Sequence, residues 1–210
     1  MNYFEVLVEG GSDVPTLREL FTRRFGLEEK VHFRIHAHKG RGRLPNNILA
    51  EPDRKHQTLL DQLPAKLRGF SYLGNEACVI VLVDADDTPS EELLGELDSM
   101  LRRLPRKPNN VLFRLAVEET ESWFIADTQA VQSAYPRAML QRLRNIQPDA
   151  IIGAWEALAD AIGVKRKEVT GADKFGWAEK IAPHLDFDNP ISPSLKELID
   201  SVEGCIDDAR

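Results

Sequence analysis

The sequence has little of what membrane-spanning or disulfide-rich secreted proteins are built from. It contains two cysteines among 210 residues, too few for a disulfide framework, so we expect both to be reduced thiols in a reducing compartment. No apolar run approaches the length that spans a bilayer, and the first residues lack the basic and apolar regions of a signal peptide. The expected location is therefore the cytoplasm, with no membrane partner.

Positive charge is also scarce. Lys and Arg number 27 against 34 Asp and Glu, which gives a formal net charge of −7. Such a chain has no global positive field that attracts nucleic acid, so an enzyme acting on nucleic acid would need a local basic patch or metal ions. The chain has no GxxxxGK[ST] loop, and its G-x-G at 40–42 lacks the third glycine of a dinucleotide-binding turn. Any ATPase activity would belong to a separate partner.

The sequence does contain short apolar runs that alternate with helical patterns. The predicted strands are 3–8, 31–37, 77–83 and 111–117. The third, ACVIVLV, is apolar throughout, as expected for a central strand that is buried on both faces. Helical spacing between the strands predicts βαβ crossovers and therefore an α/β protein with a mainly parallel sheet and flanking helices.

Beyond about residue 128 only helical patterns remain. We therefore predict an α/β core at 1–127 and a helical C-terminal extension at 128–210 that packs on the core. In the extension, Pro148 is predicted to open a helix that runs to Ile162, and further helices are predicted near 174–182 and 194–202. Within the core, Pro64 is predicted to bend or split a helix at about 55–67.

Acidic residues follow three of the predicted strands. Glu9 follows the first strand, Asp84 and Asp86 the third, and Glu118 and Glu119 the fourth. The carboxyl ends of parallel strands lie along one edge of a sheet, where ligands bind. Clustered carboxylates repel one another unless a cation lies among them, and Mg²⁺ prefers oxygen ligands. The pattern predicts a Mg²⁺ or Mn²⁺ site with Glu9, Asp84 and Asp86 as metal-binding and catalytic residues.

A structural interpretation of the same acids stays open, because Asp and Ser commonly cap the helix that follows a strand. Ser12 and Asp13 are such candidates after the first strand, with Pro15 in the first turn of the predicted helix. Asp87 before Pro89 is another.

A basic loop, Lys39-Gly40-Arg41-Gly42-Arg43, follows the second strand. Glycine lets a backbone approach a ligand closely, so Lys39, Arg41 and Arg43 are candidates for binding phosphate. A surface loop without a ligand is the alternative. The Arg102-Arg103 pair is assigned to the solvated end of a helix.

Three histidines, at 32, 36 and 38, alternate along the second predicted strand. Histidines two residues apart on a strand share a face and can bind Zn²⁺. A solvated face, or a face beside a substrate phosphate, is the alternative.

Taken in order, the strand-end motifs resemble those of the Toprim domain, which occurs in topoisomerases, primases and OLD-family nucleases. The resemblance lies in Val8-Glu9-Gly10 and Asp84-Ala85-Asp86. More closely, the chain resembles DUF4276, a family of bacterial Toprim-like proteins with a Glu-rich segment before Trp and an apolar helix. That segment is 117–127 here, and Lys174-Phe175 and Ser192-Pro193 match later features of the family.

The resemblance implies a divalent-metal site and nuclease activity. Glu9 would be a metal ligand or general acid-base group, and Asp84 and Asp86 would bind the metal. Glu118, Glu119 or Glu121 would complete the site, and Lys174 would contact a phosphate. Relatives of this broad type occur beside AAA- or ABC-type ATPases in phage-defence operons, which implies such a partner.

Three functions are compatible with the sequence. The first is a Mg²⁺-dependent phosphodiesterase that acts on DNA or RNA, as the effector of a phage-defence system with a separate ATPase. The second is a non-catalytic module that binds metal or nucleotide within an ATPase complex. The third is a flavodoxin- or Rossmann-like fold that binds a phosphorylated small molecule at residues 9–13, with the amides of Gly10 and Gly11 facing the phosphate.

Overall fold

The computed structural model describes residues 3–53, 55–85, 89–117, 119–147, 149–150 and 152–207. These residues form a four-stranded sheet from β1 (Tyr3–Val8), β2 (Phe33–Ala37), β3 (Ala77–Asp84) and β4 (Val111–Ala116). Neighbouring strands pair in parallel in the order β2-β1-β3-β4. The predicted α/β class is confirmed, and the sheet is consistent with a Toprim-like fold. The relation to Toprim proteins itself stays a prediction.

The position of β3 explains its apolar sequence. β3 lies between β1 and β4, and its residues 77–83 are all buried. Because successive side chains of a strand point to opposite faces, Cys78, Ile80 and Leu82 enter one core cluster. Val79, Val81 and Val83 enter the other. An apolar residue is therefore needed at every position of this strand.

The helices follow the strands in chain order. In the described part of the chain they are α1 (Asp13–Glu19), α2 (Leu59–Gly69), α3 (Ser90–Arg103), α4 (Glu121–Ala126), α5 (Thr128–Ala134), α6 (Ala154–Ile162), α7 (Gly171–Ile181) and α8 (Pro193–Asp207). A π-helical turn, Leu20–Arg24, extends α1, and short 3-10 turns occur at 70–72, 140–142, 166–168 and 182–184. No described helix is long and apolar enough to cross a bilayer.

The two faces of the sheet are covered by different helices. Leu63 of α2 and Leu97 of α3 pack in one cluster. Leu17 of α1, Trp123 of α4 and Val202 of α8 pack in the other. Residues from both predicted segments therefore share one core, and the C-terminal helices pack on the sheet face that α1 also covers. The boundary near residue 128 stays a prediction.

Two helix predictions need correction. Pro64 does not split α2, which continues from Leu59 to Gly69 with Pro64 buried on its apolar face. The helix predicted to open at Pro148 begins only at Ala154. Gly153 precedes that helix with a φ of 87°, a left-handed conformation that glycine adopts readily. Pro148 itself lies outside the described residues.

Asp149 connects α4 to the start of α8. Its carboxylate accepts the backbone N–H of Ser194 at 2.6 Å, near the start of α8. It also accepts the hydroxyls of Ser192 at 3.0 Å and of Ser122, on α4, at 3.3 Å. The indole N–H of Trp123 in turn donates to Ser194 Oγ at 2.8 Å. A carboxylate at a helix N-terminus is favoured by the unpaired N–H groups and the helix dipole.

We expect Asp149→Ala to lower the free energy of unfolding by roughly 2 kcal/mol, because the cap is lost and buried hydroxyls lose their acceptor. Asp149→Asn should cost less, since asparagine keeps an acceptor oxygen and tolerates the φ of 60° found here. Urea denaturation followed by circular dichroism measures both values. The control is Asp98→Ala, an exposed acid on α3. A loss for Asp149→Ala no larger than the control's would contradict the assigned role.

Candidate metal centre

Glu9 and Asp84 meet at the carboxyl edge of the sheet. β1 and β3 are neighbours in parallel register, so the residues that end them lie side by side. Glu9 Oε1 accepts the backbone N–H of Asp84 at 2.9 Å. Glu9 is 9% exposed, and Asp84 is partly buried. The structure therefore brings together two of the three acids that the strand-end pattern singled out.

Asp13 is a further buried acid in this region. Its Oδ2 accepts the backbone N–H of Gly10 at 3.0 Å, and its Oδ1 accepts the hydroxyl of Thr120 at 3.0 Å. Asp13 is thus held from both sides and only 5% exposed. Sequence reasoning treated it as a helix cap only. The sequence did contain a signal for this residue: Asp13 is an acid in the first turn of a helix that directly follows the end of a strand.

The negative charges of this cluster raise one another's proton affinity. Burial, reinforced by the charges of Asp13 and Glu9, raises the pKa of Asp84 well above its usual range. Burial raises the pKa of Asp13 as well. For Glu121, burial together with the charge of Glu119 outweighs a nearby cation and raises the pKa to about 7. Mutual repulsion of this kind is what a bound cation relieves.

Lys174, on α7, is the cation that faces these acids. Its Nζ donates to Glu119 Oε1 at 2.8 Å and lies 3.7 Å from Glu121 Oε1. It also lies 5.2 Å from the centroid of the Trp155 ring. Burial opposes its charge, but the neighbouring carboxylates outweigh burial and raise the pKa of Lys174. Its partners here are carboxylates, and the predicted phosphate contact stays a prediction.

Two members of the predicted ligand set, Asp86 and Glu118, lie outside the described residues. Among the residues that are described, no group of three or more His, Cys, Asp or Glu side chains is arranged to hold a metal ion. The described pair, Glu9 with Asp84, is joined by a hydrogen bond from the backbone N–H of Asp84 to the Glu9 carboxylate. The full set of Glu9, Asp84, Asp86, Glu118 and Glu121 therefore stays a prediction.

The basic loop lies against the end of β3. Arg41 Nη1 donates to the carbonyl oxygens of Asp84 at 3.1 Å and Ala85 at 3.2 Å. The backbone N–H of Gly40 donates to the carbonyl oxygen of Glu9 at 2.9 Å. The loop thus holds both strand ends in place. The other two candidates for phosphate binding, Lys39 and Arg43, are exposed.

A cavity of about 900 Å³ opens between this loop and α3. Three arginines line it, Arg41, Arg43 and Arg103, and two glutamates of α3, Glu92 and Glu96. Arg103 is the exposed last residue of α3, as the sequence predicts, and it also lines this cavity. A local excess of positive charge therefore adjoins the acidic edge of a chain whose net charge is −7.

The three histidines do not form a zinc site. β2 begins at Phe33 and ends at Ala37, so only His36 lies within it, and the assumed shared face fails. His36 Nε2 lies 2.5 Å from Oε2 of the buried Glu5. His38 Nδ1 donates to the carbonyl oxygen of Val8 at 2.8 Å, and His32 Nδ1 accepts the N–H of Glu28 at 3.1 Å. The three rings serve three separate structural contacts.

The turn after β1 bears on the hypothesis of a phosphate bound at residues 9–13. That hypothesis requires the backbone N–H groups of Gly10 and Gly11 to face a ligand. The N–H of Gly10 donates instead to Asp13 Oδ2. The buried carboxylates of Glu9 and Asp13 would also repel a phosphate at this place. The geometry therefore disfavours a phosphate site in this turn.

Comparison with known proteins identifies the family. No curated protein matches the chain, and no solved structure does. The model of one family, described as a domain of unknown function (DUF4276), matches residues 8–203. The matched range runs from the last residue of β1 to within α8, and it contains the strand-end acids, the basic loop and Lys174. The chain therefore belongs to the DUF4276 family.

Proposed function

We propose that this protein is a Mg²⁺- or Mn²⁺-dependent phosphodiesterase that cleaves DNA or RNA. One observation carries the proposal: Glu9 and Asp84 meet at the carboxyl edge of a parallel sheet. This edge is where α/β proteins bind their ligands. Buried Asp13 and Glu121 add acidic side chains around the same point, and this concentration of buried acids supports the proposal.

The residues present fit a hard divalent cation. Glu9 and Asp84 offer carboxylate oxygens, and Asp86, Glu118 and Glu121 are the further predicted ligands. Burial and the neighbouring acids raise the pKa values of Asp84 and Glu121, and a cation bound among these carboxylates would favour their ionised forms. A bound divalent ion would supply an activated water and neutralise charge that develops on the phosphate oxygens.

The chain's own residues have distinct roles in this proposal. The N–H of Asp84 orients the Glu9 carboxylate, which we propose as the general acid-base group. Glu121, with a pKa of about 7, is poised to exchange a proton near neutral pH. Arg41 holds the carbonyl oxygens of Asp84 and Ala85, and so fixes the end of β3 from which Asp84 projects.

The arginine-lined cavity supports a substrate that carries phosphate. Arg41, Arg43 and Arg103 line it, and Arg41 lies at the end of β3. Contact with a phosphodiester backbone requires positive charge of this kind. Its volume of about 900 Å³ lies within the range of ligand pockets and is too small to enclose a duplex. We therefore propose that an unpaired or flanking segment of the nucleic acid enters it.

The alternative function, a non-catalytic metal- or nucleotide-binding partner of a separate ATPase, uses the same acids. It requires an exposed apolar surface on the C-terminal helices. Of the large apolar side chains that are exposed among the described residues, Ile152 and Ile191 belong to that part of the chain. Because both functions share the metal site, only a test of cleavage separates them.

The test titrates the purified protein with Mg²⁺ and with Mn²⁺ by calorimetry, and then assays cleavage of labelled single- and double-stranded DNA and RNA. We expect metal binding together with metal-dependent cleavage, both retained in the control Asp98→Asn. Metal binding without cleavage, even with an ATPase partner supplied, would favour the alternative. No binding at millimolar metal would contradict the proposed metal centre.

A further inference from the structure

The two cysteines of the chain are in contact, although they are far apart in sequence. Cys78 lies on β3 and Cys205 on α8, and their sulfur atoms are 3.1 Å apart across a separation of 127 positions. They are the only two cysteines among 210 residues. The sequence predicts two reduced thiols and carries no signal of this contact. Their pairing in space, in a chain that has no others, points to a function for the pair.

The pair lies at the opposite end of β3 from the candidate metal centre. Cys78 is the second residue of the strand, whereas Asp84 is the last. Both cysteines line a cavity of about 440 Å³, together with Asn75 and Asn109. Cys78 is buried and Cys205 is partly exposed. A small oxidant in this cavity would therefore reach the sulfur of Cys205 first.

The surroundings favour different roles for the two thiols. The contact with Cys205, together with burial, raises the pKa of Cys78. Cys78 therefore holds its proton and is a poor first nucleophile, because the thiolate is the reactive form. It is well placed as the second thiol, which resolves an oxidised Cys205 at contact distance.

We propose that Cys78 and Cys205 are a redox modification site and form a reversible disulfide that joins α8 to β3. With hydrogen peroxide as oxidant, the sulfur of Cys205 attacks one peroxide oxygen, which breaks the O–O bond, gives a sulfenic acid and releases water. The sulfur of Cys78 then attacks the sulfenic sulfur, forms the S–S bond and releases a second water. Two thiols are oxidised, one peroxide is reduced, and the two thiol protons leave in the two waters. A dithiol reductant reverses the change by thiol–disulfide exchange.

The bond would alter stability without touching the metal centre. It would close the long loop between β3 and α8, which contains α3 and α7, and so restrict the unfolded chain. The residues of the candidate metal centre keep their positions, because the thiols already touch and little movement is needed. The oxidised protein should unfold at a higher temperature and bind Mg²⁺ as the reduced protein does.

The test uses the full chain, reduced with a dithiol, freed of reductant and treated with equimolar hydrogen peroxide. We expect the intact mass to fall by about 2 Da as two hydrogens are lost, and both thiols to disappear from a thiol titration. The protein should stay monomeric in non-reducing electrophoresis. Its thermal midpoint should rise by roughly 5–10 °C and return after reduction.

Cys205→Ser is the matched control, since Cys205 is the more exposed partner. This variant should keep one titratable thiol after mild peroxide treatment and show no change in thermal midpoint. Mass increases of whole oxygen atoms in the wild type, a disulfide between two chains, or two surviving thiols would overturn the proposal. If the disulfide forms and the thermal midpoint of the wild type does not rise, the proposal that the bond stabilises the contact of α8 with β3 is wrong.

Discussion

Replacing Asp84 with asparagine is expected to weaken Mg²⁺ binding by roughly 100-fold or more, while it makes the metal-free protein more stable. The two effects share one cause. Burial and the charges of Asp13 and Glu9 disfavour the ionised form of Asp84. Asparagine has nearly the same shape and no charge, so it removes the repulsion in the folded state and removes a metal ligand as well.

The stability effect separates a functional acid from a structural one. Replacing a carboxylate that only packs against its neighbours or caps a helix would lower the free energy of unfolding. At pH 8 in the presence of a chelator we expect Asp84→Asn to gain roughly 1–2 kcal/mol in free energy of unfolding. Calorimetric titration with Mg²⁺ and denaturation in urea give the two values.

The control is Asp98→Asn, which changes an exposed acid on α3 by the same chemistry. It should alter neither metal affinity nor stability. A variant of Asp84 that is destabilised and still binds Mg²⁺ as the wild type does would show that Asp84 serves the fold, and the metal centre would then be wrong.

The strands could be predicted because the pattern of apolar residues in each strand reflects which of its faces are buried. β3 must be apolar at every position to lie between two covered faces, and the run ends abruptly at Asp84. Helix starts were harder to predict. The start of α6 depends on the left-handed conformation of Gly153, whereas Pro148 gave an equally good local signal five residues earlier. The local sequence is compatible with a helix start at either position, and the packing of the folded chain selects one of them.

Parallel topology also explains which site residues could be found. Once the strands are parallel, Glu9 and Asp84 must end at one edge. Asp13 was missed because its importance depends on Thr120, which the fold brings from 107 positions away. The pairing of Lys174 with Glu119, and of Cys78 with Cys205, rests on helices of the C-terminal part packing against the sheet. A pattern within one segment cannot report such contacts.

The stability of the metal-free protein is expected to fall as the pH rises from about 4.5 to about 7, because Glu121, Asp84 and Asp13 all have raised pKa values. Glu121 is 3% exposed, and its pKa is raised from 4.5 to about 7. A carboxyl with a raised pKa binds its proton more tightly in the folded state. Its contribution is fully present below the unfolded pKa and is lost as the pH rises through the folded pKa. A shift of this size corresponds to about 3 kcal/mol.

Other groups change stability in the same pH range or below it, so the comparison must isolate Glu121. The lowered pKa of His38 acts with the opposite sign, because stability is lost as the pH falls below its usual 6.5. Three acids at the surface, Asp160, Asp173 and Asp186, have lowered pKa values and act below their usual 3.8. The difference between the wild type and Glu121→Gln cancels the contributions of His38 and these three acids, since the variant keeps them. It reports Glu121 together with the effect of its charge on the pKa of Asp84.

Urea denaturation in a chelator between pH 4 and pH 8 measures that difference. Glu121→Gln should match the wild type at the acid end and become the more stable protein by about 3 kcal/mol at the alkaline end. Glu96→Gln, an exposed glutamate of α3, should follow the wild type throughout. Millimolar Mg²⁺ should raise the free energy of unfolding of the wild type at pH 8, because a ligand that binds only the folded state stabilises that state. It should raise that of Glu121→Gln less, since the variant lacks one of the predicted ligands. If the free energy of unfolding changed with pH by the same amount in the wild type and in Glu121→Gln, the pKa of Glu121 would not be raised in solution.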